Sequence, residues 1–414
     1  MSKIKSLHAH EIIDSRGNPT LEVNCELESG SLGTASVPSG ASTGSFEAHE
    51  LRDKDANRFN GLGVTRAVKN VVGEIAKKVV TKTLTQESLD ELLVDIDGTA
   101  NKSRLGANSI LGVSLSFARA VAQENNIELY EHLGNLIGSN KFKLPEPMFN
   151  VINGGKHADS GLDIQEFMIA PVGIESFEKK IQAAAEVIYA LRGLFHNRGF
   201  SVAVGDEGGF APRLSSNEEA LDFIVRAIKD AGYSTHEIKI ALDVAATSFF
   251  EHNEYTLKIS GLRKSVTTSE LLDWYKKLIH QYPIISIEDG FYEEDWSGFK
   301  QMNREIGSSV QIVGDDLTVT NTERIEKAIQ GEAINSVLIK PNQIGTLTET
   351  MHAVMLTTQQ GWIPFASHRS GETTDTCIAD IAVGFSCGCI KAGSLTRGER
   401  VSKYNRLLEI ARKI

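Results

Sequence analysis

The sequence predicts an α/β protein in two parts, an N-terminal α+β unit followed by an eight-stranded β/α barrel. Three observations carry this. First, "TLEVNCELESGSLGTASVP" (20–38) alternates apolar and polar residues as an antiparallel hairpin does. Helical stretches near 61–80, 85–96 and 106–125 follow it. Second, "GSNKFKLPEPMFN" (138–150) brings two prolines and loop-like polar residues after a helical region at about 104–134. Third, apolar runs beyond it alternate with amphipathic helices in about eight units, counting "DIQEFMIAP", and eight suffice to close a parallel barrel. The expected division is 1–138 and 139–414.

The runs of the second part end in polar residues. They are "SVAVGDE" at Glu207, "IKIALD" at Asp243, "PIISIED" at Glu288, "VQIVGDD" at Asp315, "SVLIK" at Lys340, "GWIPFASHR" at His368 and "CGCIK" at Lys391. From Glu288 onward the spacings are 27, 25, 28 and 23 residues, the length of a strand, a helix and two loops. The gap of 45 after Asp243 holds an extra β-prone piece, "FFEHNEYTLKIS". Ser216 with Glu219, and Thr267 with Glu270, match capping boxes that open helices.

Composition narrows the partners. Of 414 residues, 41% are hydrophobic and 23% charged, ordinary for a soluble globular chain. No apolar run is long enough to span a membrane, and "MSKIKSLHAHEIIDSRG" lacks the apolar core of a signal peptide. Cys25, Cys377, Cys387 and Cys389 form no disulfide or zinc pattern and read as buried thiols in a reducing cytoplasm. The net charge of −11 without a basic run argues against nucleic acid as the main partner. An anionic substrate then needs a local positive pocket or bound cations.

A barrel supplies that pocket, because its strands end on one face. Any single acidic strand end reads as a salt bridge or a cap. Asp243, Glu288 and Asp315 on successive strands read as three hard oxygen ligands for Mg²⁺ or Mn²⁺. Lys340, His368, Arg369 and Lys391 form a cationic half. A divalent ion and a second ammonium beside Lys340 predict a lysine neutral enough to act as a base. "SHRSGET" offers Arg369 and Ser370 to a phosphate or carboxylate. Glu207 in "GDEGGFAP" pressed against Glu166 in "IQEFMIAP" predicts a shared proton and a general acid; the competing reading is a glycine turn with an exposed acid. "VPSGASTGSFEAHELRD" (37–53) and "NGGKHADSG" (153–161), the latter with His157, read as loops that close over substrate.

At this point the sequence resembles the enolase (phosphopyruvate hydratase) family over nearly its full length. "EIIDSRGNPTLEV", "VPSGASTG", "NGGKHAD", "DIQEFMIAP", "GDEGGFAP", "SIEDG", "GDDLTVTN", "IKPNQIGTLTET", "SHRSGET" and "IKAG" carry the resemblance in order. It implies a modified, TIM-like barrel with one early antiparallel strand, Mg²⁺ as cofactor, and 2-phosphoglycerate and phosphoenolpyruvate as substrate and product. A lysine base working with Mg²⁺ is a known pattern of this superfamily. By position, the resemblance implies that Asp243, Glu288 and Asp315 hold one Mg²⁺ and Ser39 a second when the lid shuts. It implies Lys340 as base on C2, Lys391 beside the developing charge, and Glu207 supported by Glu166 as acid on the C3 hydroxyl. Arg369 and Ser370 are implied at the phosphate, with Gln165, His157 and His368 lining the pocket. It also implies a cytoplasmic homo-oligomer, dimer or octamer. Thr374, Cys389 and Ala392 depart from the family wording without removing any of these groups. A racemase or cycloisomerase of the superfamily typically lacks the "SGASTG" and "SHRSGET" segments. A binding protein on the same scaffold predicts damage at Lys340, Glu207 or the acidic triad, and all are intact.

Overall fold

Alternation in the first forty residues becomes a sheet. The computed structural model describes residues 1–40 and 44–414. Strand β1 (Ser2–Ile13) pairs antiparallel with β2 (Pro19–Leu27), and β2 with β3 (Leu32–Ser36). The short β4 (Thr83–Leu84) closes the far edge, giving the order β3-β2-β1-β4. Leu21, Val23, Cys25 and Leu27 share one face of β2 and are buried, as a period of two requires. The helix Ala107–Glu124 lies close against this sheet. A Cβ at Gly33 would fall 2.0 Å from the Ser116 carbonyl oxygen, so only glycine permits that approach. The helix expected near 61–80 is interrupted, with a π-helical turn at Val71–Ile75 between Thr65–Asn70 and Ala76–Val79.

The barrel strands are β5 (Glu146–Asn153), β6 (Glu166–Ala170), β7 (Lys239–Asp243), β11 (Ile284–Glu288), β12 (Gln311–Gly314), β13 (Ser336–Ile339), β14 (Ile363–Ser367) and β15 (Cys389–Lys391). Between β7 and β11 the β-prone insertion forms β8 (Phe250–Glu251), β9 (Glu254–Ile259) and β10 (Leu262–Val266). The barrel closes where β15 pairs β5. All neighbours run parallel except at β6, which is antiparallel to both β5 and β7. Met148, Met168, Ala170, Ala241, Val313, Leu338, Phe365 and Cys389 form a buried cluster of their own inside the barrel.

Eight strands were expected, but one member of the set differs. The run ending at Glu207 is no strand: Val204 is partly exposed, and only isolated bridges tie Phe210 to Val204 and Ile152. β-Prone residues without burial do not make a barrel strand. The missing strand is β5, which begins inside the segment read as a boundary. Pro147 disguised it, since proline inside a strand reads as a break. The Thr267–Glu270 capping box is complete. At Ser216 only half forms, because the Glu219 carboxylate bonds the Ser215 amide instead.

Buried polar contacts join the first 138 residues to the barrel. Arg119 forks onto Asp375 with two 2.6 Å bonds, Lys102 reaches Glu349 at 2.8 Å, and Asp90 accepts from the Thr348 amide and hydroxyl. All four cysteines are buried and unpaired, and among the described residues no helix is long and apolar enough to cross a membrane. Asp375→Asn leaves the Arg119 charge uncompensated at this seam. It is expected to lower unfolding free energy by about 3 kcal/mol in denaturant titrations, as broken buried ion pairs do.

Candidate active site

Strand direction decides which carboxylates meet. β7 and β11 end at Asp243 and Glu288, which are register partners. β6 begins where they end, so its first residue, Glu166, pairs with Asp243 at the same rim. The three buried carboxylates therefore stand abreast. From the last residue of β15, Lys391 Nζ donates to Glu166 at 3.1 Å, to Asp243 at 3.1 Å and to both Glu288 oxygens at 2.8 and 2.9 Å. Burial opposes the ammonium form, but Asp243, Glu166 and Glu288 hold the Lys391 pKa well above its ordinary value. Burial, then repulsion from Asp243, pushes Glu288 well up. Gln165 donates to Asp243 at 3.3 Å, and its own Oε1 has no partner.

Asp315 and Lys340 follow β12 and β13 by one residue. Lys340 Nζ bonds Asp315 Oδ2, and Gln343 Nε2 donates to Asp315 Oδ1 at 2.8 Å. This contact acts against the neutral lysine that the sequence suggests beside a divalent ion. Burial does lower the Lys340 pKa, but the Asp315 carboxylate more than offsets it, and the net shift is upward. Asp289 accepts the amides of Asp315 and Asp316 at 2.9 and 2.7 Å, which fixes the turn that presents them.

Glu207 arrives on its loop rather than on a strand, and is buried. Asn150 donates to it at 3.0 Å. His157 Nδ1 lies 3.6 Å from Glu207 and 3.8 Å from Glu166, so this loop histidine is enclosed rather than exposed. His368 Nε2 lies 3.5 Å from Glu207 on another side. Burial and the Glu207 charge raise Glu166 well above the usual carboxylate range. Burial also pushes Glu207 up, but His157, His368 and Arg400 draw it well below. Of the two carboxyl groups, Glu166 is thus the one whose surroundings favour the protonated form. His368 itself is pulled down to about 3, chiefly by burial and against the pull of Glu207, so at neutral pH it acts on Glu207 as an uncharged dipole.

Arg369 and Ser370 follow β14 and are buried. Arg369 donates to both oxygens of Glu47, at 2.9 and 3.2 Å, and to Asn342 at 3.0 Å. Ser39 exchanges backbone bonds with Gly371, while its hydroxyl accepts from Arg52 at 2.8 Å and lies beside Arg16 and Glu50. Ser39 is thus near the cationic half and not in the carboxylate cluster. Of the expected lid, Ala41, Ser42 and Thr43 lie outside the described residues.

A family model described as the enolase C-terminal TIM barrel domain matches residues 141–414, and one described as the enolase N-terminal domain matches residues 4–133. The chain belongs to the enolase family. Enolase is phosphopyruvate hydratase, the hydro-lyase of glycolysis, and the buried acidic cluster agrees with its use of a metal. The family uses Mg²⁺, and the donors here fit a hard cation: carboxylate oxygens, two of them raised by burial and by repulsion from neighbouring carboxylates, with Gln165 Oε1 and Glu166 Oε2 buried and unpartnered. Among the described residues, two sets of three have ligand atoms within 4.8 Å of one another, His157–Glu166–Glu207 and Asp289–Asp315–Asp316. Asp243, Glu288 and Asp315 are not such a set, since Lys391 gathers the first two while Lys340 holds the third.

Sequence reasoning missed four contributors to this enolase site: Glu47, Asn150, Gln343 and Arg400. Asn150 and Gln343 lie inside the quoted segments but look like ordinary strand and loop polar residues. Glu47 sits in the lid stretch without a signal of its own, and Arg400 is one charge among many on an amphipathic helix.

The depressed His368 pKa has a sign. Below about 6.5 the unfolded chain takes up a proton that the folded site refuses, until pH approaches about 3. Stability is expected to fall with pH across that window by up to roughly 1.4 kcal/mol per unit from this group. Denaturant melts between pH 4.5 and 7 should show a shallower slope for His368→Asn.

Proposed function

We propose that this enolase dehydrates 2-phosphoglycerate with Lys340 as base and the Glu166–Glu207 pair as acid. The observation that carries the reading is the arrangement of the rim: Lys340 and Lys391 stand beside the acidic strand ends, and the carboxyl groups of Glu166 and Glu207 lie close together next to them. Lys340 Nζ takes the C2 proton, and the C2 electron pair forms the new double bond to C3. The C3 hydroxyl leaves as water with a proton from the carboxyl pair. Glu207 faces the hydroxyl and Glu166 replenishes it. Lys391 keeps an ammonium beside the substrate carboxylate, where negative charge builds. Arg369 and Ser370 grip the phosphate, while Gln165, His157 and His368 line the pocket and exclude water.

Asp243, Glu288 and Asp315 would hold one Mg²⁺, and Ser39 a second. Mg²⁺ bound there would neutralise the substrate carboxylate and make the C2 proton more acidic. Asp315 engaged with that ion would hold the Lys340 ammonium less strongly, which would favour Lys340 as a proton acceptor. We further propose the division at 138, a homo-oligomeric enzyme, dimer or octamer, and a cytoplasmic location.

Turnover followed by ultraviolet absorbance of phosphoenolpyruvate is expected to vanish with EDTA. Lys340→Ala and Glu207→Gln should each lower kcat by about 10²–10⁴-fold. The two variants separate the steps in deuterated water. Lys340→Ala should fail to exchange the C2 proton, whereas Glu207→Gln should exchange it without losing hydroxyl. Equal exchange in both would overturn the assignment. Mg²⁺ should also raise the thermal midpoint of the wild type and not of an Asp243→Asn, Glu288→Gln double variant.

A further inference from the structure

Arg400 is the largest fully buried side chain among the described residues, yet its ion pair with Glu399 is a loose one. It lies in the first turn of the helix Gly398–Ala411, where the helix dipole disfavours a cation. Its Nε has no hydrogen-bond partner, and the nearest Glu399 oxygen is 3.6 Å away and already bonded to Arg397. A buried charge is costly unless well paired. The room for it is also specific. A Cβ at Gly393 (φ +82°) would fall 2.8 Å from Arg400 Cδ and 2.8 Å from the Glu207 carbonyl oxygen.

Both terminal nitrogens of Arg400 instead serve the site. Nη1 meets His368 Nδ1 at 2.6 Å and donates to the Arg369 carbonyl at 2.6 Å. Nη2 donates to the carbonyls of Asp206 at 3.0 Å and Ser370 at 2.6 Å. Asp206 precedes Glu207 directly, so one guanidinium ties the loop of the acid to the loop of the phosphate grip. The imidazole contact says more. A guanidinium only donates, so Nδ1 must be a bare lone pair. The neutral ring then carries its hydrogen on Nε2, the atom 3.5 Å from Glu207 Oε2.

We infer that Arg400 is a positioning residue of the dehydration step: it locks His368 as the Nε2–H tautomer that faces Glu207. The inference rests on the reading of Glu207 as part of the acid. His368 cannot turn over or take a second proton while Nη1 occupies Nδ1. The Nε2–H so fixed points its hydrogen toward Glu207 Oε2, 3.5 Å away, and has no other partner among the described residues.

The test is a double-mutant cycle in the full-length enzyme. Arg400→Met is expected to lower kcat by about 10²-fold in the wild-type background. In a His368→Asn background the same change should cost less than about 3-fold, because the group it acts through is gone. The pH profile supplies a second readout. His368 is faced by Glu207 and Arg400 and feels Lys391. Arg400→Met should therefore add an acid-side ionisation to kcat/KM that is absent from the wild type and from the double variant. Additive losses, or no new ionisation, would overturn the inference and leave Arg400 a staple between loops. If Arg400→Met does not fold, Arg400→Lys, which keeps the charge and loses the fork, is put through the same cycle with the same criterion. The underlying acid reading fails separately, if Glu207→Gln turns over normally.

Discussion

Lys391 sits among Glu166, Asp243 and Glu288 with its ammonium shared by all three, and the rest of the rim is arranged around that contact. Taking ions out of water costs several kcal/mol each, so the cluster exists only because the barrel fixes its members before they meet. Neighbouring strands hold Glu166 against Asp243 and Asp243 against Glu288 by backbone register, which no side-chain repulsion can slide apart. One ammonium does not balance three carboxylates. Burial and repulsion lift Glu166 and Glu288 as a result. The barrel thus stores an unmet demand for positive charge at the point where a divalent ion and an anionic substrate are proposed to bind.

The reversed strand β6 is what makes this possible. Its five residues span roughly 15 Å at about 3.3 Å each. Run parallel to its neighbours, β6 would deliver Glu166 to the opposite rim, and the carboxyl pair with Glu207 would not form. The antiparallel turn therefore has a chemical consequence as well as a topological one. It brings a second acid to the rim without adding a strand.

Much of this was legible because barrel strands are short, apolar and terminated by charge. Asp243, Glu288, Lys340, His368 and Lys391 announce strand ends by that contrast, and the structure brings them together. Glu207 shows the limit of the signal: "SVAVGDE" has the composition of a strand but not the burial, and only tertiary contact distinguishes the two. The strand at 146–153 shows the converse, a buried element masked by proline. The charge state of Lys340 turns on a contact that sequence does not show. Sequence shows that Asp315 and Lys340 approach the same rim, but not that they bond directly, and that contact sets the sign of the shift. Arg400 was invisible because nothing on its helix marks the His368 ring and the three backbone carbonyls that it meets.

Glu47 at Arg369 follows the same electrostatic logic as Lys391 among its carboxylates. A buried guanidinium waiting for a phosphate cannot be left bare, because an unpaired buried charge is strongly destabilising. Glu47 supplies a bidentate carboxylate, and Gln343 connects that carboxylate to Asp315 through its two contacts at 3.3 and 2.8 Å. On the proposed reading, a phosphate arriving at Arg369 carries more charge than the single carboxylate it displaces, so the exchange favours substrate. The displaced Glu47 belongs to the segment expected to close over the site. Its two bonds from Arg369 tie that part of the N-terminal unit to the barrel.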